Sequence, residues 1–286
     1  MAFNEVLNKE ATTAVANKGL GGLRKLIETK YQTLKVILGE EKKVKKFESN
    51  LVRLFNDQLK ECDPVSVLGA AMQAAYLNLD LDPLLGQAYV IARKQKIANG
   101  QHKIVASFMM GYQGLIELAR KSGQIQSINP IIVYDKEDFD LSYTINGVEF
   151  KHTPKSPKDR GKKIIGCYVI VKLRDGGSHF EWMWEDEILA IKEMSPAKDK
   201  QSSPWNSNQV SKEGMYKKTV IRRAAKVLPK SSDFAKAIAL EEATEAGKNV
   251  DYSSVVDGGE VVIDAETVES VKVPEQQNNE VPNELF

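Results

Sequence analysis

Residues 87–110, QAYVIARKQKIANGQHKIVASFMM, govern the fold class that we expect for this chain. Two runs rich in β-branched and aromatic residues flank Asn99-Gly100, the dipeptide that most strongly signals a two-residue hairpin turn. The segment therefore predicts two antiparallel strands. Four basic residues line the predicted hairpin, namely Arg93, Lys94, Lys96 and Lys103.

Helical patterns lie on both sides of this hairpin. Residues 23–60 have apolar positions at helical spacing. Asp63-Pro64 is a strong helix start, because Asp caps the first turn and Pro at the first helical position sacrifices no needed donor. The helix predicted there, 64–79, contains many small residues, which predicts close packing against another element. GYQGLIELARKSG at 111–123 predicts a short helix.

The remaining segments add strands and then helices. Strands are predicted within 127–154 and 166–184, with turns at Asn146-Gly147 and at 175–177. Helices are predicted at 185–193, 210–228 and 233–243. We therefore expect an α+β fold in which a small antiparallel sheet with its hairpin packs on helices.

Charge divides the chain unevenly. Residues 1–242 contain 38 basic and 29 acidic residues, whereas residues 243–286 contain two basic and ten acidic residues. This division suggests a body that meets a polyanion, although a solubilising tail on a mildly basic domain would look the same. We predict a flexible N-terminus at 1–22, a functional core at 23–242 and a disordered acidic tail at 243–286.

The whole chain has the composition of a cytoplasmic protein. Its 286 residues are 42% hydrophobic and include two cysteines far apart in sequence, so a disulfide framework is not supported. We find neither a secretory signal nor an apolar run long enough to span a membrane, and we expect no membrane partner.

The helix predicted at 210–228 carries most of the functional argument. On a helical wheel, Val220, Ile221, Ala224, Ala225, Val227 and Leu228 form one face, and Lys218, Arg222, Arg223 and Lys226 form the opposite one. No acid after Glu213 relieves these like charges within the helix, whereas a line of phosphates would. The alternative is an ordinary solvated face. Trp205 and Tyr216 lie beside the cations, and such a combination suits a single strand through stacking, although Trp205 could equally be a core anchor.

Three stretches together resemble the RecT family of phage and prophage single-strand annealing proteins. They are FMMGYQGLIELARKSGQIQSINPIIVYDKEDFD, GCYVIVKLRDGGSHFEWMWEDEI and PWNSNQVSKEGMYKKTVIRRAAKVLP. The resemblance covers roughly residues 65–235 and is loose between Met194 and Pro204. Gly111, Tyr112, Gln113 and Arg120 match the first motif. Lys217, Lys218, Thr219, Arg222, Arg223 and Lys226 match the last.

The resemblance implies a function and a fold. Proteins of this family bind single-stranded DNA, form rings or filaments, and anneal complementary strands without ATP. They work beside a 5′→3′ exonuclease of the RecE type. Their fold is similar to that of the lambda Red beta protein. For the acidic tail we expect recruitment of a partner, such as that exonuclease or the host single-strand binding protein.

Residues and resemblance together give one candidate DNA-binding set: Lys94, Lys96, Lys103, Gly111, Tyr112, Gln113, Arg120, Lys121, Trp205, Lys217, Lys218, Thr219, Arg222, Arg223 and Lys226. We expect no catalytic residue, no protein-bound metal and no cofactor, so any Mg²⁺ would act through the DNA. The sequence lacks the G-x-x-x-x-G-K-[ST] loop of phosphate-binding ATPases.

Three rival functions stay open at this point. Asp138 and the triplet Glu149-Phe150-Lys151 resemble the acid…acid-x-Lys pattern of metal-dependent nucleases, although a chain with 28% charged residues produces such triplets by chance. A passive protein that protects single strands without pairing them is the second rival. A purely structural oligomer with no nucleic-acid role is the third.

Overall fold

The computed structural model describes residues 19–96, 102–145, 147–201, 203–246 and 248–263. The helices are α1 (Leu20–Thr29), α2 (Tyr31–Leu38), α3 (Glu41–Leu54), α4 (Pro64–Tyr76), α5 (Tyr112–Lys121), α6 (Glu185–Glu193), α7 (Gln209–Ala224), α8 (Ser232–Glu245) and α9 (Ser253–Val256). The strands are β1 (Ala88–Lys96), β2 (His102–Met110), β3 (Ile125–Tyr134), β4 (Asp138–Thr144), β5 (Gly147–Thr153), β6 (Ile164–Leu173), β7 (Ser178–Trp184), β8 (Val250–Asp251) and β9 (Val262–Ile263).

The predicted pair of antiparallel strands is confirmed, and one of its faces is buried, whereas the turn predicted at Asn99-Gly100 lies outside the described residues. Strands β1 and β2 pair antiparallel from Ala88↔Met110 to Lys96↔His102. Alternate residues on one face are buried in the main core. This face packs on α4, where the Ser66 hydroxyl accepts a hydrogen bond from the Ala106 amide at 2.9 Å. The opposite face is therefore left to other elements.

Helix α4 runs through the centre of the helical layer. Its start at Asp63-Pro64 is confirmed, because the Asp63 carboxylate accepts from the Val65 amide at 3.3 Å. Nine of its thirteen residues are buried, which agrees with the close packing predicted from its small residues. The helical structure predicted at 23–60 is present, but it is not one continuous helix. Gly39 takes a φ of 76°, which ends α2, and the segment folds as α1, α2, α3 and a π-helical turn at Phe55–Leu59.

The other strands build two further antiparallel units. Strands β3, β6 and β7 form one sheet with β6 in the centre, and β4 and β5 form a separate hairpin. Aromatic residues hold this hairpin to the sheet: the Phe139 ring stacks on Trp182 with centroids 4.4 Å apart, and Phe150 stacks on Phe180 at 4.3 Å. Helix α7 packs against all three strands of the sheet. The α+β class with small antiparallel sheets packed on helices is confirmed.

The boundary predicted between core and tail is wrong. Helix α8 continues across it to Glu245, and the chain then adds β8, α9 and β9. Tyr252 is 1% exposed, and burial raises the pKa of its hydroxyl to about 12. We call residues 248–263 the C-terminal strap. Its buried apolar side chains are Val250, Tyr252, Val255 and Val256, and the helix α9 within it packs on α4. Averaging composition over 243–286 concealed them.

The flexibility predicted for residues 1–18 and the disorder predicted for 264–286 lie outside the described residues. At the N-terminal end of the described chain, α1 already begins at Leu20, and Leu23 is fully buried. None of the helices in the described ranges combines the length and the apolar content that crossing a membrane requires.

Candidate nucleic-acid interface

A cleft of about 520 Å³ lies on the hairpin face that α4 leaves uncovered. Its walls are strands β1 and β2, the loop segments 195–201 and 203–205, the facing sides of α7 and α8, and the start of the C-terminal strap. The charged residues among its described lining are Arg93, Lys94, Lys200, Lys218, Lys248 and Glu241. Five cations against one carboxylate make this cleft strongly positive, and a concave wall of one sign concentrates its field on an approaching polyanion.

The floor of the cleft holds a buried ion pair. Lys218 donates to one oxygen of Glu241, and the other carboxylate oxygen accepts from the Met110 amide. The Lys218 and Glu241 side chains are 4% and 2% exposed. The prediction that Lys218 projects outward to phosphates is therefore wrong. Its acid comes from another helix, 23 positions further along the chain, which a wheel of one helix cannot show.

Arg223, another cation of α7, also pairs with acidic side chains of this chain. Arg223 contacts Glu181 at 2.8 Å and Glu187 at 2.7 Å, and the hydrogen bond with Glu187 raises the pKa of the guanidinium. Burial alone would raise the pKa of Glu187, but the Arg223 hydrogen bond leaves it below its usual value. The four cations thus do not form one exposed face, and that prediction is wrong.

The rest of the last motif is divided between core and surface. Thr219 is buried, and its hydroxyl donates to the Met215 carbonyl at 2.9 Å, so it is not accessible to DNA. Arg222 is half-buried and Lys226 is exposed. Val227, predicted to lie on the apolar face, is 69% exposed because α7 ends at Ala224.

Trp205 is a core residue at the cleft wall. It is 5% exposed, and its ring lies tilted on Tyr216 with centroids 6.2 Å apart. Burial, together with a 2.9 Å hydrogen bond from the Tyr216 hydroxyl to Glu185, raises the pKa of that hydroxyl. A base has no open indole face to stack on here, so the core-anchor alternative holds and the stacking prediction for Trp205 is wrong.

The first motif combines a packing role with an exposed one. A Cβ on Gly111 would lie 2.0 Å from the Gly86 carbonyl oxygen, so only glycine fits at this start of α5. Tyr112 follows, with the Lys217 ammonium 5.6 Å from its ring centroid. Exposed Gln113 donates to the Tyr112 hydroxyl at 3.0 Å. The structure therefore brings the first and last motifs together through Tyr112 and Lys217.

Tyr89 links this pair to the cleft. Burial and the nearby Tyr112 raise the pKa of the Tyr89 hydroxyl. Because side chains alternate along a strand, Tyr89 shares its side of β1 with Ile91 and Arg93, which line the cleft. One strand face thus connects Tyr112 and Lys217 with the cationic cleft.

The remaining predicted cations differ in what they contact. Lys94 is exposed and lines the cleft, and the side chain of Lys96 lies outside the described part. Lys103 pairs with Asp63 at 2.7 Å. Lys121 donates to the Leu77 and Asn78 carbonyls at 3.2 and 3.1 Å, which caps the end of α4. Arg120 is exposed at the end of α5.

Arg93, Lys200 and Lys248 were missing from the predicted site, although Arg93 was placed on the hairpin. Lys200 lies in the loop where the resemblance is loose, and Lys248 lies in the segment predicted to be disordered. The signal in the sequence was weak: Lys248 is one of only two basic residues within 243–286.

The nuclease pattern does not converge in space. Glu149 lies opposite Ser142 on the β4–β5 hairpin, four residues along the strand from Asp138. At about 3.3 Å per residue this offset is about 13 Å, too far for two carboxylates to share one metal ion. Asp138 instead pairs with Lys155 at 3.1 Å. In the described ranges, no three His, Cys, Asp or Glu side chains cluster as metal ligands.

The chain is similar to known proteins over most of its length. The sequence model of the RecT family matches residues 45–255. Protein RecT of Escherichia coli (strain K12) is 32% identical over 206 residues, which cover 72% of this chain and 73% of that protein. The uncharacterized protein YqaK of Bacillus subtilis (strain 168) is 36% identical over 98 residues, 34% of this chain and 31% of that protein. The chain belongs to the RecT family of single-strand annealing proteins.

Proposed function

We propose that this chain holds single-stranded DNA by its phosphates in the cationic cleft and anneals it to a complementary strand during homologous recombination. The observation that carries the proposal is the lining of the cleft, in which Arg93, Lys94, Lys200 and Lys248 surround the Lys218–Glu241 pair. Family membership supports the annealing role.

Phosphate binding suits annealing for a physical reason. Phosphate contacts position a strand without reading its sequence, and they leave the base edges free to pair. Each neutralised phosphate also releases condensed counterions, which supplies binding free energy for any sequence. Base pairing then drives the annealing step, so no nucleotide needs to be hydrolysed.

The length of the site supports several contacts with one strand. Tyr89 and Arg93 lie on the same side of β1, four residues apart, which is about 13 Å at 3.3 Å per residue. About four nucleotides at the roughly 3.4 Å spacing of a strand within a duplex would span that distance. Tyr112 and Lys217 lie beyond Tyr89, where a ring beside a cation suits a terminal base and its phosphate.

The finer parts of the proposal come from the family resemblance and the sequence. We propose that the chain acts without ATP, as a homo-oligomer in a ring or filament, beside a 5′→3′ exonuclease of the RecE type. The acidic tail recruits a partner, such as the host single-strand binding protein. Mg²⁺ acts through the DNA, and catalysis plays no part. Both cysteines are buried and free, which suits the reducing cytoplasm of a bacterial host.

An annealing assay tests the function. One oligonucleotide carries a fluorophore and its complement carries a quencher, and no nucleotide is added. We expect the chain to accelerate quenching severalfold over the spontaneous rate. Combining Lys94→Gln with Lys200→Gln should remove most of this acceleration, because both cations lie in the cleft.

A matched variant controls for loss of charge alone. Lys43→Gln combined with Lys45→Gln removes two cations from α3, where they pair with Glu40 and Glu41. It should anneal at the wild-type rate. Slower quenching with the wild-type chain would instead identify a passive protecting protein. Loss of end-labelled strand in Mg²⁺, abolished by Glu149→Ala, would identify a nuclease.

A further inference from the structure

The acidic segment that follows the C-terminal strap begins beside the cationic cleft. Residue Ile263 of β9 pairs with Val250 of β8, and Val250 lines the cleft. Adjacent strands lie about 4.8 Å apart, so the chain leaves β9 within one strand spacing of the cleft wall. Lys248, two residues before Val250, is one of the cleft cations.

The charge of the segment is opposite to that of the cleft. Residues 264–286 contain six acidic residues and one basic residue. In the cleft, five basic residues surround one carboxylate, and that carboxylate is already paired with Lys218. Lys94 and Lys200 are exposed and can reach a carboxylate as readily as a phosphate.

The strap fixes this starting point. Tyr252 is buried beneath α4, and a Cβ on Gly69 would lie 2.0 Å from the Tyr252 carbonyl oxygen. Asp257 pairs with Lys30 at 2.8 Å, and Glu260 pairs with Lys236 at 2.8 Å. The segment is therefore tethered beside the cleft whatever conformation it takes beyond Ile263.

We propose that residues 264–286 occupy the cationic cleft of their own chain when DNA is absent, and that single-stranded DNA displaces them. A random-coil chain of 23 residues has an end-to-end distance of about 25 Å, which is enough to cover the cleft. Tethering gives an effective concentration of about a millimolar, so weak contacts suffice for substantial occupancy. The interaction is electrostatic, and salt weakens it.

Paramagnetic broadening tests the docking without any DNA. The full chain with Ser270→Cys carries a spin label there. Labelling is selective because Cys62 and Cys167 are buried, and burial raises the pKa of the Cys62 thiol to about 11. Isotope-labelled methionine methyls report proximity. Those of Met109 and Met215 line the cleft, whereas those of Met72 and Met183 lie in the core and are the internal controls.

We expect selective broadening of Met109 and Met215 at low salt, and its loss in about 0.5 M salt or with Lys94→Gln combined with Lys200→Gln. Equal intensities at all four methyls would overturn the proposal. Mixing spin-labelled chains with unlabelled, methyl-observed chains distinguishes docking within one chain from docking between two chains. Broadening that arises only between chains would overturn docking within one chain.

A competition experiment tests the displacement by DNA. The full-length neutral variant has Asp264→Asn and Glu→Gln at 266, 269, 275, 280 and 284. Its control replaces Gln276, Gln277, Asn278 and Asn279 by Ser and keeps every charge. We expect the neutral variant to bind an oligonucleotide about three- to tenfold more tightly at 50 mM salt, with the difference vanishing at high salt. Equal affinities of neutral variant and wild type at 50 mM salt would refute competition.

The competition rests on the proposed function, whereas the docking does not. If DNA binds elsewhere, Met109 and Met215 stay broadened when an oligonucleotide is added, and the proposed function fails together with the displacement while the docking stands. If docking is wrong, the broadening is absent while the cleft substitutions still weaken DNA binding, and this inference fails alone.

Discussion

At the floor of the cleft, the Lys218 ammonium is buried away from water and pairs with one carboxylate, that of Glu241. Glu241 serves two donors at once, Lys218 and the Met110 amide, and so ties α7 to α8 and to the end of β2. Removing one member of a buried ion pair leaves the other charge uncompensated, which costs about 3–5 kcal/mol.

Lys218→Met should therefore lower the free energy of unfolding by about 3–5 kcal/mol, measured by urea denaturation. Adding Glu241→Gln should recover most of that loss, because Gln is neutral and its carbonyl oxygen can still accept from Met110. The double variant should bind single-stranded DNA within about threefold of wild type. A full loss of DNA affinity with normal stability would instead make Lys218 a phosphate ligand.

Sequence predicted individual residues well where the cause was local. The Asp63 cap depends on its own helix, and it was correct. The predictions that Lys218 points outward and that Trp205 has an open ring face were wrong, because both side chains depend on partners from distant segments. Gly111 was identified from its motif, yet its physical reason required the fold, because the Gly86 carbonyl oxygen lies 2.0 Å from where a Cβ would be.

Helix α4 and the C-terminal strap are packed at one point with no room to spare. Gly69 has no side chain, and the Tyr252 backbone occupies the space that a Cβ would need. Because the obstructing atom is backbone, it cannot move aside as a flexible side chain would.

Gly69→Ala should accordingly destabilise the chain by about 1–3 kcal/mol, the usual cost of overpacking a core. Its thermal midpoint should fall by about 2–4 °C for each kcal/mol. Gly21→Ala, at a helical glycine with open space around it, is the matched control and should not lower the midpoint. Equal midpoints for the two variants would show that the strap does not pack on α4.

Truncation separates the strap from the acidic segment. A chain ending after residue 245 loses the buried Tyr252, Val255 and Val256, and we expect a cooperative loss of stability in thermal unfolding. A chain ending after Ile263 keeps these side chains and should unfold at the wild-type temperature. If both truncations are equally stable, the strap contributes nothing to the core.

Elements with strong local signals were predictable, and elements that depend on context were not. The antiparallel pairing of β1 and β2 was correct because the composition of both segments favours strands. The break at Gly39 was missed because one glycine within a helical pattern does not show whether its φ is positive. The strap was missed because its apolar residues lie within an acidic segment.

For the molecule as a whole, the fold explains how separate sequence signals meet. The two family motifs lie about a hundred residues apart, yet α5 and α7 pack together and place Tyr112 beside Lys217. The cleft assembles cations from the hairpin, a loop and the strap. These cations are far apart in sequence. The sequence therefore predicts a binding surface on one cationic helix face instead of the cleft. The likeness to the lambda Red beta fold stays a prediction.

The salt dependence of DNA binding tests the cleft most directly. For single strands, the slope of log affinity against log salt falls by about 0.7 for each phosphate that the protein no longer neutralises. Lys94→Gln, Lys200→Gln and Lys248→Gln together should therefore flatten the slope by about 2 for every oligonucleotide sequence, while Lys43→Gln with Lys45→Gln leaves it unchanged. An unchanged slope in the triple variant would contradict the account, because phosphates would then be bound elsewhere.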